Sequence, residues 1–172
     1  EKMKIKLGAP VWTLAWNPNR DEPHDVLACG CWDESLSFYQ LNGTQVGKDI
    51  ALDYDPCTVR YFSNGEYMVT GGTNRKVTLA TKEGTPLKDV CVAGSWVWCA
   101  APRPKQNYVA VGCEDGSITM HQLIFSTVHG LYKDRYAYRD YMTDVIIQHL
   151  VTEQKLRIKC KDYVKRISVY KE

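Results

Sequence analysis

Cysteine and histidine are the residue types in this chain best suited to nucleophilic catalysis or metal binding, and the chain holds seven and four of them. A catalytic thiol needs a neighbouring base, and the pair that the sequence offers is Cys113 with His121, eight residues further on. Neither a Gly-rich nucleophile turn nor a third group to orient the histidine accompanies this pair. We therefore expect a protein that is not an enzyme.

The cysteines also lack a metal-binding or disulfide pattern. None belongs to a C-x-x-C pair, and Cys29 and Cys31 lie two residues apart, hence on one face of a strand. Zinc would need further Cys or His at suitable spacing. An odd number of cysteines without a regular framework is typical of free thiols in a reducing compartment. We expect small buried side chains and no metal or other cofactor.

One sequence pattern occurs three times. Residues 30–37 (GCWDESLS) return 41 residues later as residues 71–78 (GGTNRKVT), and again as residues 112–119 (GCEDGSIT). In each copy a glycine is followed three residues later by Asp or Asn, and six residues later by a branched apolar residue. A period of roughly 40–45 residues is typical of the four-stranded blades of a WD40-type β-propeller. The repeat therefore predicts an all-β fold of partial-propeller blades, which usually serve as binding platforms.

Tight turns are predicted from the glycines and short polar residues of this pattern. Such residues relieve strain where the chain reverses, so Gly30 and Asp33 are expected to bracket a turn. Asn42-Gly43 is a strong hairpin signal, and the turn recurs as Glu83-Gly84. The structural turn residues predicted in this way are Gly30, Asp33, Gly43, Gly71, Asn74, Gly84, Gly112, Asp115 and Gly116.

The innermost strand of each blade is predicted at residues 11–18, 58–62 and 96–100. These stretches are mostly apolar rather than alternating, as expected of strands buried near a propeller channel. Their tryptophans are therefore expected to pack in the core between blades, with a hot spot for a partner as the alternative. They are Trp12, Trp16, Trp96 and Trp98.

The period fails after Leu123. Residues 131–141 interleave Tyr with Lys and Arg, a composition that suits stacking on single-stranded nucleic acid. Two Asp residues leave this stretch at only +1, however, so an ordered connector or a partner surface is the preferred interpretation. Beyond it, two strands are predicted at residues 145–151 and 155–160.

Basic residues alternate with apolar ones in residues 155–161. This alternation predicts one solvated and one buried strand face. A phosphate-binding surface is the alternative, but the net charge of only +2 argues against a large electrostatic attraction to nucleic acid. The candidate partner surface comprises Tyr132, Arg135, Tyr136, Tyr138, Arg139, Lys159 and Lys161.

Three copies of the repeat cannot close a propeller, which has roughly 4–8 blades. An open ring leaves strand edges unpaired, so we expect the chain to be a piece of a longer protein. No uninterrupted apolar run approaches the ~18 residues of a membrane-spanning segment.

The connector makes the prediction more specific. Four stretches closely resemble the intraflagellar transport protein 122 family, whose members are WD40-repeat subunits of intraflagellar transport complex A: residues 16–18, 21–28, 124–140 and 144–170. The resemblance covers essentially the whole chain. It implies the end of a preceding blade at residues 1–10, the last blades of a first propeller at 11–123, a connector at 124–142 and the first strands of a second propeller at 143–172.

The resemblance also implies a function. Members of this family are non-enzymatic scaffolds for retrograde ciliary transport, ciliary membrane-protein trafficking and cilium assembly. The implied partners are other subunits of complex A, together with ciliary membrane cargo or its adaptors, and the implied location is the cilium, the ciliary base and the cytoplasm.

Two alternatives stay open at this point. One is a WD40 scaffold of another coat-like vesicle transport complex, and the other is a basic-surface binder of nucleic acid or anionic lipid. The chain also departs from the general WD40 pattern, because the Trp-Asp pair that ends the third strand is replaced. The replacing pairs are Tyr39-Gln40, Ala80-Thr81 and His121-Gln122.

Overall fold

The computed structural model describes residues 3–19, 25–124, 128–140, 142–161 and 164–170. These residues form fifteen β-strands in four antiparallel sheets and no helix, which confirms the predicted all-β class. The chain divides into two compact units, Glu1–Leu123 and Ile124–Glu172, and each is described by itself.

The first unit consists of three sheets, each beginning with its innermost strand. The first two sheets have four strands in sequential order, and the third has three in the described residues. The strands are β1 (Val11–Trp16), β2 (Val26–Cys31), β3 (Ser35–Gln40), β4 (Ile50–Ala51), β5 (Pro56–Tyr61), β6 (Tyr67–Gly72), β7 (Lys76–Thr81), β8 (Pro86–Val92), β9 (Val97–Pro102), β10 (Tyr108–Cys113) and β11 (Ile118–Gln122).

The edges of this unit contain little strand. The outer strand of the first sheet is reduced to Ile50–Ala51 plus a single bridge between Tyr39 and Gln45. Residues 3–10, expected to end a preceding blade, contain no strand.

Three of the predicted turn glycines lie inside strands instead. Gly30, Gly71 and Gly112 belong to β2, β6 and β10. A Cβ at each would come close to a side chain of an inner strand, which for Gly71 is Val97 in the next sheet. A Cβ at Gly30 would come within 2.7 Å of the Thr13 methyl carbon, and one at Gly112 within 2.7 Å of the Cys99 sulfur. The glycines are needed because the inner strand approaches closely, a tertiary effect that the turn interpretation missed.

The Asp or Asn three residues after each of these glycines lies within the turn itself. Asn74 and Asp115 accept hydrogen bonds from the backbone amides two residues on, at 3.1 and 2.9 Å, and Asp33 accepts one from the Ser35 hydroxyl. Short polar side chains thus replace backbone groups in closing the turn. The next residue in each turn has a positive φ, 60° at Glu34, 63° at Arg75 and 81° at Gly116.

Gly43 and Gly84 lie in the turns at the opposite end of the sheets. Their φ angles are 86° and 85°, in the left-handed region that favours glycine. A Cβ at Gly84 would also come within 2.6 Å of the Ile50 side chain, so this glycine is needed for space as well as for its backbone conformation.

The core of the first unit lies between neighbouring sheets. Leu36 and Phe38 of β3 pack with Val59, Met68 and Ala80 of the second sheet in one buried cluster. Apolar faces of adjacent sheets therefore cover each other, as expected of propeller blades.

Two threonines join the inner strands of successive sheets. The amide of Val59 donates to Thr13 Oγ1 at 3.1 Å, and the amide of Ala100 donates to Thr58 Oγ1 at 3.2 Å. Both threonines are buried, so each hydroxyl satisfies a backbone donor that would otherwise lose its solvent partner on folding.

The second unit is one four-stranded sheet in sequential order. Two of its strands lie in residues that we predicted as a connector, because that stretch lacks the repeat glycine by which the earlier strands were found. The strands are β12 (His129–Tyr132), β13 (Arg135–Asp140), β14 (Asp144–His149) and β15 (Lys155–Lys159).

Candidate functional site

The predicted partner surface divides between the two faces of the second unit's sheet. Tyr138 pairs with Ile146, which pairs with Arg157, and Arg135 pairs with His149. Because side chains alternate along a strand, this register places Tyr136, Tyr138 and Lys159 on one face and Tyr132, Arg135 and Arg139 on the other. Lys161 lies just beyond β15 and is exposed.

The first of these faces, which we call the aromatic–basic face, carries stacked rings beside a basic strand. Tyr136 and Tyr138 stack with their ring centroids 5.4 Å apart, and His129 lies 6.1 Å from Tyr136. Lys155 and Lys159 of β15 project to the same side. Aromatic residues are enriched at protein interfaces, and charged side chains such as lysine lie mostly at their polar rim.

Part of the basic stripe is neutralised within the sheet. Arg157 donates to Asp144 Oδ2 at 2.8 Å and to Asp140 Oδ2 at 2.7 Å, and Asp144 is buried. The sequence interpretation counted Arg157 as part of a free basic stripe and missed this pairing. The two carboxylates flank the turn that joins β13 to β14, and the register brings Asp144 opposite Lys159 and next to Arg157.

The opposite face of the sheet is partly covered by the end of the chain. Arg139 donates to the Val164 carbonyl at 2.9 Å, and a Cβ on Gly130 would lie 3.1 Å from Val169 Cγ2. Tyr132 has the Lys133 ammonium 5.7 Å from its ring centroid. An open cleft of about 410 Å³ lies at the end of this sheet, lined by Arg135, Ile147, His149, Gln154, Lys155 and Leu156.

The apolar side of β15 is not buried as predicted. Leu156 and Ile158 are exposed, because β15 is the outermost strand of its sheet and the described residues supply no layer over it. The alternation of residues correctly indicated a strand, but it does not by itself specify what covers the strand.

Cys113 and His121 are separated by the hairpin that carries them. His121 pairs with Val109, four residues before Cys113, a separation of about 13 Å along the strand. His121 Nε2 instead lies 2.9 Å from Thr119 Oγ1 in its own strand. The geometry does not bring this thiol and imidazole within proton-transfer distance.

The seven cysteines are all free thiols. Burial raises the pKa of Cys29 to about 11, with a smaller contribution from Cys31, so this thiol resists ionisation to the nucleophilic thiolate. Burial raises the pKa values of Cys31 and Cys57 as well. Cys99, by contrast, is exposed, contrary to the expectation of buried cysteines.

The described part of the chain holds no group of three or more Cys, His, Asp or Glu side chains arranged to bind a metal ion. In the same residues there is no helix with the length and apolarity needed to cross a membrane.

The tryptophans of the inner strands depart from the expectation of burial. Trp12, Trp16 and Trp96 are 48%, 49% and 39% exposed, and Trp98 is half-buried. Trp32, in the turn after β2, stacks on Trp12 with ring centroids 4.5 Å apart. Trp32 was not among the tryptophans singled out from the sequence, because it lies outside the predicted inner strands.

Comparison with protein families agrees with this architecture. Residues 85–122 match the model described as "WD domain, G-beta repeat", and residues 129–172 match the model described as "IFT122 second beta-propeller". The class is therefore an all-β protein built of WD40-type propeller blades.

Individual relatives identify a particular family within this class. The chain is 56% identical over 99% of its length to the intraflagellar transport protein 122 homologues of Mus musculus and Danio rerio, and 58% identical over 89% of its length to that of Homo sapiens. The predicted resemblance to the intraflagellar transport protein 122 family is confirmed. The chain spans 15% of the length of the first two relatives and 12% of the third.

Proposed function

We propose that this chain is a segment of a non-enzymatic scaffold subunit of intraflagellar transport complex A. Its proposed role is to bind other subunits during retrograde ciliary transport, ciliary membrane-protein trafficking and cilium assembly. The proposed partners include ciliary membrane cargo or its adaptors, and the proposed location is the cilium, its base and the cytoplasm.

One observation carries this proposal. The identity of 56% to intraflagellar transport protein 122 homologues extends over 99% of the chain, so it includes the second unit as well as the repeat. A WD40 repeat alone would suit many scaffolds, whereas the match of residues 129–172 to "IFT122 second beta-propeller" favours this family over other coat-like complexes.

The division into units supports a proposed position within the longer protein. We assign Glu1–Leu123 to the last blades of a first propeller and Ile124–Glu172 to the beginning of a second. Residues 129–140, which we predicted as part of a connector, form β12 and β13 in the sheet of the second unit. This supports a proposed crossover near Leu123.

The aromatic–basic face and Lys161 are the part of the second unit that we assign to subunit contacts. Its exposed lysines, Lys155, Lys159 and Lys161, leave a positive surface even after Arg157 is paired. Exposed charges of this kind govern association rates and partner choice more than affinity. We therefore expect binding to an acidic surface of another subunit.

The test uses the full-length protein, tagged and purified from ciliated cells, with co-purified proteins quantified by mass spectrometry. The other subunits of complex A should be recovered in fixed ratios with the wild-type chain. A Lys159→Glu/Lys161→Glu variant should recover less of at least one subunit, because two exposed charges are reversed. The matched control, Lys88→Glu/Lys105→Glu, reverses two exposed charges in the first unit.

The outcomes separate the function from the surface. Recovery of the wild-type chain without complex A subunits, or with the subunits of a vesicle coat instead, would contradict the proposed function. Equal recovery by both reversed variants and the wild type would contradict only the assignment of the contact surface.

A further inference from the structure

Four indoles form a continuous arc across one end of the first unit. Trp32 stacks on Trp12 at 4.5 Å with the ring planes 17° apart, Trp12 lies 5.9 Å from Trp98, and Trp98 lies 6.2 Å from Trp96. We call these four residues the tryptophan arc. Trp12, Trp32 and Trp96 are 48%, 37% and 39% exposed, and exposed clusters of large apolar rings commonly mark interaction sites.

The arc depends on a bulge that recurs in the inner strands. Trp12 is left unpaired where β1 shifts register between Val11 and Thr13, and Trp98 is left unpaired where Cys113 pairs with Val97. A bulge bends its strand and changes the direction in which a side chain points. The two indoles thereby meet although their strands, β1 and β9, belong to the first and third sheets.

This geometry distinguishes the arc from packing between adjacent sheets. Thr13 and Thr58 occupy equivalent positions, so exposed Leu14 corresponds to buried Val59, which contacts the preceding sheet. Leu14 is thus suited to sheet packing. The tryptophan arc instead connects strands two sheets apart and includes a turn residue, so it lies at the end of the sheets.

Carboxylates flank both ends of the arc. Asp33 and Glu34 directly follow Trp32, and the backbone amide of Glu114 donates to the Trp96 carbonyl at 2.9 Å. Glu114 and its neighbour Asp115 lie in the turn between β10 and β11, and all four carboxylates are exposed. Hydrogen bonds from Ser117 keep the pKa of Asp115 below its usual value. The two turns hold no basic residue.

The basic groups of the second sheet offset these charges only in part. Lys76 pairs with Asp89 at 3.1 Å, which leaves Arg75 as the exposed cation of the middle turn. Arg60 directs its guanidinium Nη1 to the carbonyls of Val59 and Leu14, at 2.7 and 3.2 Å, along the inner strands. Both ends of the arc therefore remain acidic.

We propose that the tryptophan arc binds a linear, Lys- or Arg-rich peptide segment of a partner protein. A cationic side chain over an indole face gains a cation–π interaction, which is strongest for Trp. The carboxylates at the two ends complement further positive charges along the same peptide and disfavour acidic partners. This inference does not depend on which transport complex contains the protein.

The test measures peptide binding to the full-length protein by fluorescence anisotropy. The probe is a fluorescein-labelled eight-residue peptide in which four Arg alternate with Ser. Two comparison peptides replace Arg by citrulline, its neutral isostere, or by Glu. The Arg peptide should bind at least about tenfold more tightly than either, and its affinity should fall as salt is raised.

Variants locate the binding site. Glu34→Gln/Glu114→Gln removes one charge at each end of the arc without removing the side chains that accept the turn hydrogen bonds, and should weaken binding of the Arg peptide about fivefold or more. The matched control, Glu83→Gln/Glu153→Gln, makes the same change in net charge elsewhere and should stay within about twofold. Trp96→Leu, just outside β9, should also weaken binding.

Three results would overturn the proposal. They are equal affinity for the Arg and citrulline peptides, preference for the Glu peptide, and no difference between the site variant and its control. Tighter binding to vesicles containing phosphatidylserine than to the Arg peptide would likewise contradict it, because acidic turns should repel an anionic surface.

Discussion

The repeated apolar positions of β3 and β7 differ sharply in burial from those of β11. Residues 41 positions apart occupy the same place in the three sheets, yet Leu36 and Val77 are 0% exposed and Ile118 is 75% exposed. The next pair along shows the same contrast, with Leu79 2% and Met120 79% exposed. The side chains are similar in type, so the difference arises from the neighbouring sheet of the same unit, which covers the first and second sheets. Among the described residues of the first unit, no further sheet follows the third. In this fold, a residue's repeat position decides where it points, and the next blade decides whether it is buried.

Truncating equivalent apolar side chains in the second and third sheets should give the largest difference in the free energy of unfolding. Leu79→Ala should lower the free energy of unfolding by about 2–5 kcal/mol, because it leaves a cavity between sheets. Met120→Ala, the matched control, should change it by less than about 0.5 kcal/mol, since its side chain is already exposed. Urea denaturation of the 172-residue chain followed by circular dichroism measures both.

Equal losses for these two variants would contradict the comparison. If a further sheet covers Met120 in the full-length protein, the two substitutions should lower the free energy of unfolding by more similar amounts there. The same denaturation measurement on the full-length variants tests this.

The hydrogen bond between inner strands offers a second test of the covered side. Thr58→Val removes the hydroxyl that accepts from the Ala100 amide and leaves a buried donor unsatisfied, at a cost of about 1–3 kcal/mol. The control is Thr44→Val in an exposed turn. Thr58→Val should melt at a lower temperature than the wild type and the Thr44→Val control. A wild-type melting temperature for Thr58→Val would show that water replaces the hydroxyl.

Turn glycines provide a third test, which concerns the backbone. Gly84→Val should destabilise the chain by about 1–3 kcal/mol or more, because it combines a positive φ with a close approach to Ile50. Gly43→Val should cost less, since the atoms that it meets belong to the flexible Met3 side chain. Gly8→Val serves as the control, because a Cβ there has no atom within 4 Å. Thermal unfolding in which all three variants melt alike would refute this assignment.

The smallest effect on stability is expected at the turn position where φ is positive. This position is occupied by a different residue in each turn, Glu34, Arg75 or Gly116. Arg75→Gly should stabilise the chain by about 0.5–1 kcal/mol, because glycine adopts the 63° φ without steric cost. Gly116→Ala should lose a similar amount at the equivalent position. Chemical denaturation of both variants in parallel shows whether each substitution raises or lowers the free energy of unfolding. A destabilised Arg75→Gly variant would show that the arginine side chain stabilises the chain by more than the backbone strain costs.

The sequence predicts the strands of the first unit well because the repeat has a clear period and the turns have short, local signals. The role of Gly30 was missed because its constraint comes from Thr13 in another strand. β12 and β13 were missed for a related reason, since their residues alternate without any recurring glycine. Local patterns therefore indicate strands and turns, whereas close approaches between strands need the packed structure.

The candidate surfaces were less predictable than the fold. The sequence singled out Tyr136 and Lys159, but it could not place them on the face opposite Tyr132, because this depends on the register of β13 to β15. The exposure of Trp12 likewise depends on a bulge and on contacts with Trp32 and Trp98, which the order of residues does not reveal.

Cross-linking mass spectrometry of the full-length protein within its purified complex tests the central claim most directly. If this segment is a propeller-built scaffold of intraflagellar transport complex A, Lys159 and Lys161 should form cross-links to other subunits of that complex, while Lys88 and Lys105 serve as internal comparisons in the first unit. Cross-links from Lys159 and Lys161 that remain entirely within their own chain, in a complex whose other subunits are otherwise cross-linked to it, would contradict the account.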